Sequence, residues 1–306
     1  MVVYWTCAWL TSRGQAPQRF RYQACRDTTL KIATAMTRPQ QCGLFVALGL
    51  CPVWAVAFGQ GPGPAQDKLL ASARQYAGQY LASLPSFICT QTTDQFEGGK
   101  KAKKWRKGDS LTSLLVWDQG HEERTLQLVN ARPVSELPVY RAPLVSEGEF
   151  GNLLDSVLGS TSPAQFSWHG WDVVNDKRVG VFDYQVDQQS SQLRLSFGGV
   201  NAVIAFHGAV YIDPDSGSVW RITNEADGFP SELQTKSLSR LVDYSDVMIG
   251  PKRFVLPVHA VVLLDTGHER IKNELRFENY RKFSADSHVT FSSEAPSKTV
   301  VDSGKH

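Results

Sequence analysis

Cysteine is scarce in this chain, with five among 306 residues. Only one lies beyond residue 59, Cys89, because the other four are Cys7, Cys25, Cys42 and Cys51. A single cysteine forms no internal disulfide, so a disulfide-stabilised scaffold is excluded for residues 60–306. Cys89 stands in a strand-like run, Phe-Ile-Cys-Thr, and we expect a buried small apolar side chain there rather than a nucleophile.

An excess of charge of one sign is also missing. The formal net charge is +2, from 32 Lys and Arg against 30 Asp and Glu. Residues 1–59 contain six of the basic residues and one acid, which leaves 26 against 29 and a net charge of −3 for the remainder. Nucleic-acid-binding proteins usually have a strong basic excess, so we predict no nucleic-acid partner.

The sequence has no signature of a common catalytic or cofactor site. Gly-x-Ser-x-Gly, P-loop and dinucleotide-binding motifs are absent, and the seven histidines lack the spacing of a metal site. Residues 213–217, Asp-Pro-Asp-Ser-Gly, lack the further ligands of a calcium loop and predict a tight turn. We therefore predict no cofactor, no metal and a protein that is not an enzyme.

A long uncharged apolar run occurs near the amino terminus, at residues 42–59. It is shorter than the ~20 residues that span a membrane, and Pro52 interrupts it. A basic lead and small residues at Ala55, Ala57 and Gly59 complete the form of a secretory signal peptide. We predict a signal peptide at 36–59 and export to the periplasm, with association with the outer membrane left open.

The residues on either side of this signal are interpreted accordingly. Residues 1–35 precede a complete signal, so we interpret them as a leader that results from a start codon assigned too early. A genuine basic leader and an uncleaved membrane anchor are the alternatives. Residues 60–65 are rich in Gly and Pro and predict a linker, and the polar tail 285–306 is expected to fray.

Two helices are predicted in the remaining chain. Apolar residues recur at helical spacing over 66–84, and Pro85 ends the run. A second apolar stripe covers 150–158, preceded by Ser146 and Glu149 at the spacing of a capping box.

Most other segments alternate between apolar and polar residues, which is typical of strands with one solvated face. We expect about eleven strands, at 87–98, 112–118, 123–131, 166–174, 178–188, 192–197, 201–212, 218–226, 237–248, 252–264 and 268–284. The predicted fold class is mainly β (α+β): a single domain at 66–284 with a large curved antiparallel sheet or unclosed β-barrel. The two helices would cover the inner face of the sheet and enclose an apolar space.

Five short motifs resemble one known family. They are Leu-Pro-Ser-Phe-Ile-Cys at 84–89, Gly-Glu-Phe-Gly-Asn-Leu-Leu at 148–154, Ile-Asp-Pro-Asp-Ser-Gly at 212–217, Tyr-Ser-Asp at 244–246, and Leu256-Pro257. The last three resemble the carboxy-terminal half of the periplasmic lipoprotein-carrier (LolA/LolB-like) superfamily. The first two are similar to segments of uncharacterised exported bacterial proteins of that general type. The resemblance implies an unclosed barrel with a helical lid over a cavity for acyl chains.

Two sets of side chains are candidates for binding. Large apolar residues that could line a cavity are Trp117, Phe150, Leu154 and Trp220. A basic run that could contact an anionic membrane surface includes Lys101, Lys104, Trp105 and Arg106. Ordinary core packing and a solvated hairpin tip are the competing interpretations.

Three functions follow as hypotheses. The first is an exported, non-enzymatic binding or carrier protein for a lipid-like or other hydrophobic ligand, with a lipid or lipoprotein as partner and transient membrane contact. The second is a structural or interaction module of the outer envelope. The third is a hydrolase that uses His207 with an acid such as Asp213 or Asp243. The sequence gives no indication of the oligomeric state.

Overall fold

The computed structural model describes residues 2–5, 63–99, 104–137, 140, 142, 144–146, 148–197 and 200–283. Two α-helices are present in these ranges, α1 (Pro64–Ser83) and α2 (Asn152–Leu158). The strands are β1 (Val2–Trp5), β2 (Phe87–Gly99), β3 (Arg106–Asp118), β4 (His121–Val129), β5 (Arg132–Pro133), β6 (Val145–Ser146), β7 (Gln165–Val174), β8 (Lys177–Val186), β9 (Leu193–Phe197), β10 (Val200–Val203), β11 (Ala205–Ile212), β12 (Val219–Asp227), β13 (Ser237–Ile249), β14 (Lys252–Asp265) and β15 (Glu269–Lys282).

One sheet of eleven strands dominates the structure, in the order β5-β4-β3-β2-β15-β14-β13-β12-β11-β8-β7. Every neighbouring pair in it is antiparallel, and the sheet does not close on itself. The predicted fold class, an unclosed antiparallel β structure with two helices, is confirmed. Two-residue turns connect several strands, as the turn signals in the sequence indicate.

A second, smaller sheet has the order β10-β9-β1-β6. It contains a short hairpin, β9 and β10, which separates from β11 at the buried residue Ile204. Residues 201–212, predicted as one strand, are therefore divided between the two sheets. Residues 2–5, which lie within the predicted leader, form the strand between β6 and β9.

Helix α1 covers the inner face of the large sheet. Pro64 occupies its first turn, where no amide donor is needed, and the helix ends before Pro85. Its buried residues are Leu69, Ala73, Ala77 and Tyr80. Leu69 lies against Gly180 of β8, where any side chain on the strand would collide with it. The small residue therefore allows close contact between helix and sheet.

Helix α2 begins later than predicted. The helix starts at Asn152, after Gly151 with φ of 146°, so Ser146 and Glu149 lie before it and do not form a capping box. Phe150 and four apolar residues of α2 are fully or almost fully buried and fill the core beside α1, namely Leu153, Leu154, Val157 and Leu158.

The predicted domain limits remain largely predictions. The signal peptide at 36–59 and the tail at 285–306 lie outside the described residues, as does most of the linker at 60–65. Among the helices in the described ranges, none has the length and apolar character needed to cross a membrane.

Candidate functional site

A cleft of about 130 Å³ lies on the inner face of the sheet beside α2. Its floor is formed by β2, β3, β4 and β15, and its wall by residues 140–146 as far as they are described. Leucines line one part of the cleft: Leu111, Leu126, Leu144 and Leu275. Polar side chains line the rest: Gln91, Thr93, Ser113, Arg124, Tyr140, Ser146 and Asn273.

Gln91 is the polar residue of this cleft that has an unsatisfied buried acceptor among the described residues. It lies on β2 at the same side as the core residues Phe87 and Cys89, because side chains of a strand alternate between faces. Only 4% of Gln91 is exposed, and its Nε2 donates to Thr93 Oγ1 at 3.0 Å. Its Oε1 has no hydrogen-bond partner within the described part of the chain. Buried polar atoms without a partner are rare in folded proteins, so this acceptor is an unusual feature of the cleft lining.

Three hydrogen bonds hold the wall of the cleft on the sheet. Tyr140 Oη donates to Gln95 Oε1 at 3.0 Å, and Asn273 Nδ2 donates to the carbonyl of Leu144 at 3.0 Å. Arg124 Nη1 donates to the carbonyl of Ser146 at 2.7 Å. These bonds attach the described residues of the wall to β2, β4 and β15.

Beneath the wall lies a buried ion cluster, formed by Glu149 with Arg124 and Arg240. Glu149 is fully buried, and the Arg240 side chain is 3% exposed. The oxygen–nitrogen distances are 3.3 Å to Arg124 Nη2 and 3.7 Å to Arg240 Nη1, and Ser146 Oγ donates to Glu149 Oε1 at 2.9 Å. Burial favours the neutral acid, but the two guanidinium groups and the Ser146 hydroxyl outweigh it and hold the pKa of Glu149 below its usual value.

The ion cluster and the cleft share Arg124. This side chain lines the cleft, donates to the wall at Ser146 and contacts Glu149 below. Glu122 of β4 accepts from it at 2.7 Å, so the cleft carries no unbalanced positive charge from this residue. Neutral and amphiphilic ligands therefore fit the cleft better than strongly anionic ones.

The predicted cavity residues do not line this cleft. Trp117, Phe150 and Leu154 are buried in the main core, where Phe87 packs against both Trp117 and Phe150. The space beneath α2 is filled by such side chains.

Trp220 lies apart from the other three predicted cavity residues, in a small cluster with Val174 and Val179. A β-bulge between β11 and β12 shifts the register at this position, and Lys177 Nζ lies 3.6 Å from the centre of the indole ring.

The structure describes three of the four residues of the predicted basic surface. Lys101 lies outside the described residues, and Lys104 is exposed. Arg106 pairs with Glu97, while Trp105 packs against Gly98 with the guanidinium of Arg270 4.7 Å from its ring centre. Trp105 and Arg270 therefore form a cation–π contact, which is a structural role for the indole ring.

His207 lies on the exposed outer face, at β11. Its Nδ1 is 2.5 Å from Asp227 and its Nε2 is 3.8 Å from Glu225. The expected acids are engaged elsewhere, since Asp243 pairs with Arg221 and Asp213 accepts from its own turn. The described residues contain no group of three or more side chains suited to a metal ion.

Cys89 is buried as predicted, and burial raises the pKa of its thiol well above the ordinary value, which suppresses the reactive thiolate.

Comparison with known proteins gives structural likenesses only. No family model and no curated sequence matches the chain. A LolA superfamily protein from Nitrosomonas europaea matches with a TM-score of 0.29 and 9% identity, over 71% of this chain and 93% of that one. A DUF1329 family protein from Desulfovibrio piger matches with a TM-score of 0.34 and 10% identity, over 74% and 96%. A domain from Vibrio parahaemolyticus ascribed to outer membrane lipoprotein sorting gives 0.33 and 11%, over 71% and 92%.

The solved structures that match include proteins ascribed to the superfamily that the motifs resemble. Identities of 9–11% with TM-scores near 0.3 carry no argument about a ligand, a partner or a compartment. Those questions depend on the residues of this chain.

Proposed function

We propose that this protein is a non-enzymatic binding or carrier protein that takes a lipid-like ligand into the cleft above β2, β3, β4 and β15. The observation that carries the proposal is the buried, unpartnered Oε1 of Gln91 among leucine side chains. Ligand sites are typically apolar cavities with a few polar groups that orient the ligand, and this cleft has that character.

The lining defines the ligand chemistry. Gln91 Oε1 accepts a hydrogen bond, so the polar end of the ligand carries a hydroxyl or amide donor. The leucines contact an alkyl portion, and burial of each methylene contributes about 0.8 kcal/mol. Monoacylglycerols and other neutral amphiphiles combine these features.

The size of the cleft limits what it holds without movement. Its 130 Å³ corresponds to about four water molecules at their share of liquid volume, whereas ligand pockets usually measure roughly 300–1,000 Å³. A longer acyl chain therefore enters only when the described residues of the wall, Tyr140, Leu144 and Ser146, move away from the sheet. Such an opening breaks the three hydrogen bonds of the wall and the hydrogen bond from Ser146 to Glu149.

The cell envelope is the proposed location. The apolar run at 42–59, with its basic lead and small residues, supports export to the periplasm. A lipid or the acyl part of a lipoprotein is the proposed partner, with transient membrane contact during loading. A purely structural role is supported less well, by exposed Trp171, Val173 and Met248. The hydrolase hypothesis is the weakest, because His207 lies outside the cleft.

Titration with 1-monodecanoylglycerol, followed by isothermal calorimetry and native mass spectrometry, tests the proposal. Ser113→Phe fills the cleft and Gln91→Leu removes the acceptor at similar volume, so each should weaken binding at least about tenfold. Gln185→Leu makes the matched change on the exposed outer face of β8 and should leave binding unchanged. Wild-type binding that both folded cleft variants retain would contradict the proposed site.

A further inference from the structure

The small sheet contains a position for one strand, bordered by β6 on one side and β9 on the other. Strand β1 occupies it, parallel to β6 and antiparallel to β9. Val2 and Val3 pair with Val145 and Ser146, and all four β1 residues pair along β9, from Ser196 to Leu193. We propose that this position is a strand-acceptor site for an extended, apolar segment of a partner polypeptide.

The backbone of the two bordering strands explains why an extended segment fits. Without a central strand, β6 and β9 each present a row of unpaired amide and carbonyl groups toward the other. One four-residue segment satisfies both rows at once, which an ordinary sheet edge does not offer. The acceptor site is therefore selective for extended backbone.

The surroundings indicate the sequence of the segment. Leu193 and Leu195 of β9 are buried, whereas Arg194 between them is exposed. The present occupant, Val-Val-Tyr-Trp, consists of β-branched and aromatic residues with no charge. In the observed register, the third position of the segment lies opposite Arg194, so an acidic residue there gains an opposite charge across the strands.

The present occupant is short. Strand β1 has four residues, and two of them pair with β6. Because β1 belongs to the same chain, a free segment replaces it only if that segment binds more tightly or if β1 is removed. The predicted cleavage after residue 59 would remove β1 altogether and leave the acceptor site to a partner.

Peptide binding to the full-length chain, produced without export so that the leader is retained, tests this inference. The probe is a fluorescein-labelled peptide, Ser-Val-Val-Tyr-Trp-Ser. Val3→Pro removes a backbone donor and disfavours β1 pairing, so this variant should bind the probe at least about tenfold more tightly than wild type. Thr28→Pro makes the same change elsewhere in the leader and should behave like wild type.

Two further measurements locate the peptide. Hydrogen exchange should show new protection at Leu193–Phe197 in the Val3→Pro complex. A probe with Glu at the position opposite Arg194 should bind roughly two- to fivefold more tightly than one with Lys there.

The inference is wrong if Val3→Pro, folded by circular dichroism, binds no more tightly than wild type, or if protection appears away from β9. A wild-type dimer by light scattering that Val3→Pro dissociates, without any peptide binding, would overturn it in favour of strand exchange between two copies.

Discussion

Replacement of Glu149 by glutamine gives the most direct test of the buried ion cluster. The substitution preserves the shape of the side chain but removes the buried negative charge that faces both Arg240 and Arg124. Removal of one partner from a buried ion pair costs about 3–5 kcal/mol, because the remaining charge has lost its compensation. Glu149 is fully buried and contacts two guanidinium groups, so we expect a value in this range for the free energy of unfolding.

Urea denaturation measures this loss of unfolding free energy, and thermal denaturation measures the accompanying shift in Tm. Both are monitored by tryptophan fluorescence and circular dichroism. For a domain of 150–250 residues, each kcal/mol shifts Tm by about 2–4 °C, so a Tm lower by roughly 6–20 °C is expected. Glu123→Gln, on the exposed side of β4, is the matched control and should change stability by less than about 0.5 kcal/mol. The double variant Glu149→Gln, Arg240→Met removes the orphaned charge and should recover part of the loss. If Glu149→Gln loses no more than its control, the cluster is not buried as described.

Two further predictions concern acid stability and strand packing. The pKa of Glu149 is lowered in the folded state, so its contribution is complete above 4.5 and is lost as the pH falls below that value. Urea midpoints measured from neutral pH downward should therefore fall more steeply for wild type than for Glu149→Gln; parallel profiles would contradict this. A Cβ at Gly208 would overlap the Thr223 carbonyl of β12, so Gly208→Ala should destabilise by about 1–3 kcal/mol. Gly78 lies in open space on α1, so Gly78→Ala should instead stabilise the protein by about 0.5–1 kcal/mol. Equal shifts in Tm for the two variants would contradict the close packing of Gly208 against β12.

Most of the large sheet could be predicted from the sequence because its strands share one pattern, the alternation of apolar and polar residues. Alternation of apolar and polar residues depends only on neighbours along the chain, and it placed most strands of the large sheet within about four residues. Strand β3 begins six residues earlier than predicted, and the two-residue β5 was not predicted. The start of α2 was predicted too early, because Ser146 and Glu149 have capping-box spacing but contact each other in the buried ion cluster.

The cleft could have been predicted in part. Phe87 and Cys89 lie on the inner face of β2. Side chains of a strand alternate between its faces, so Gln91 and Thr93 also lie on the inner face. Polar residues at inward positions of a strand are a recognisable sign of a site. The wall could not be predicted, because side-chain hydrogen bonds hold Tyr140, Leu144 and Ser146 in place and no repeating sequence pattern marks them. The separation of Trp220 from the other candidate cavity residues could not be predicted either, because the β-bulge beside it leaves no signal in the alternation.

Three features of the molecule depend on the two residues of β6. Val145 and Ser146 line the cleft, pair with β1, and contact the ion cluster through the Ser146 hydroxyl and carbonyl. Opening the cleft therefore breaks contacts to the sheet and to Glu149 together. Each hydrogen bond contributes about 0.5–1.5 kcal/mol, so loss of the three wall bonds and of the Ser146–Glu149 bond adds roughly 2–6 kcal/mol to the cost of opening. A segment held between β6 and β9 adds to this barrier. Partner binding at the acceptor site and ligand entry at the cleft should therefore oppose each other, because both act on the position of β6.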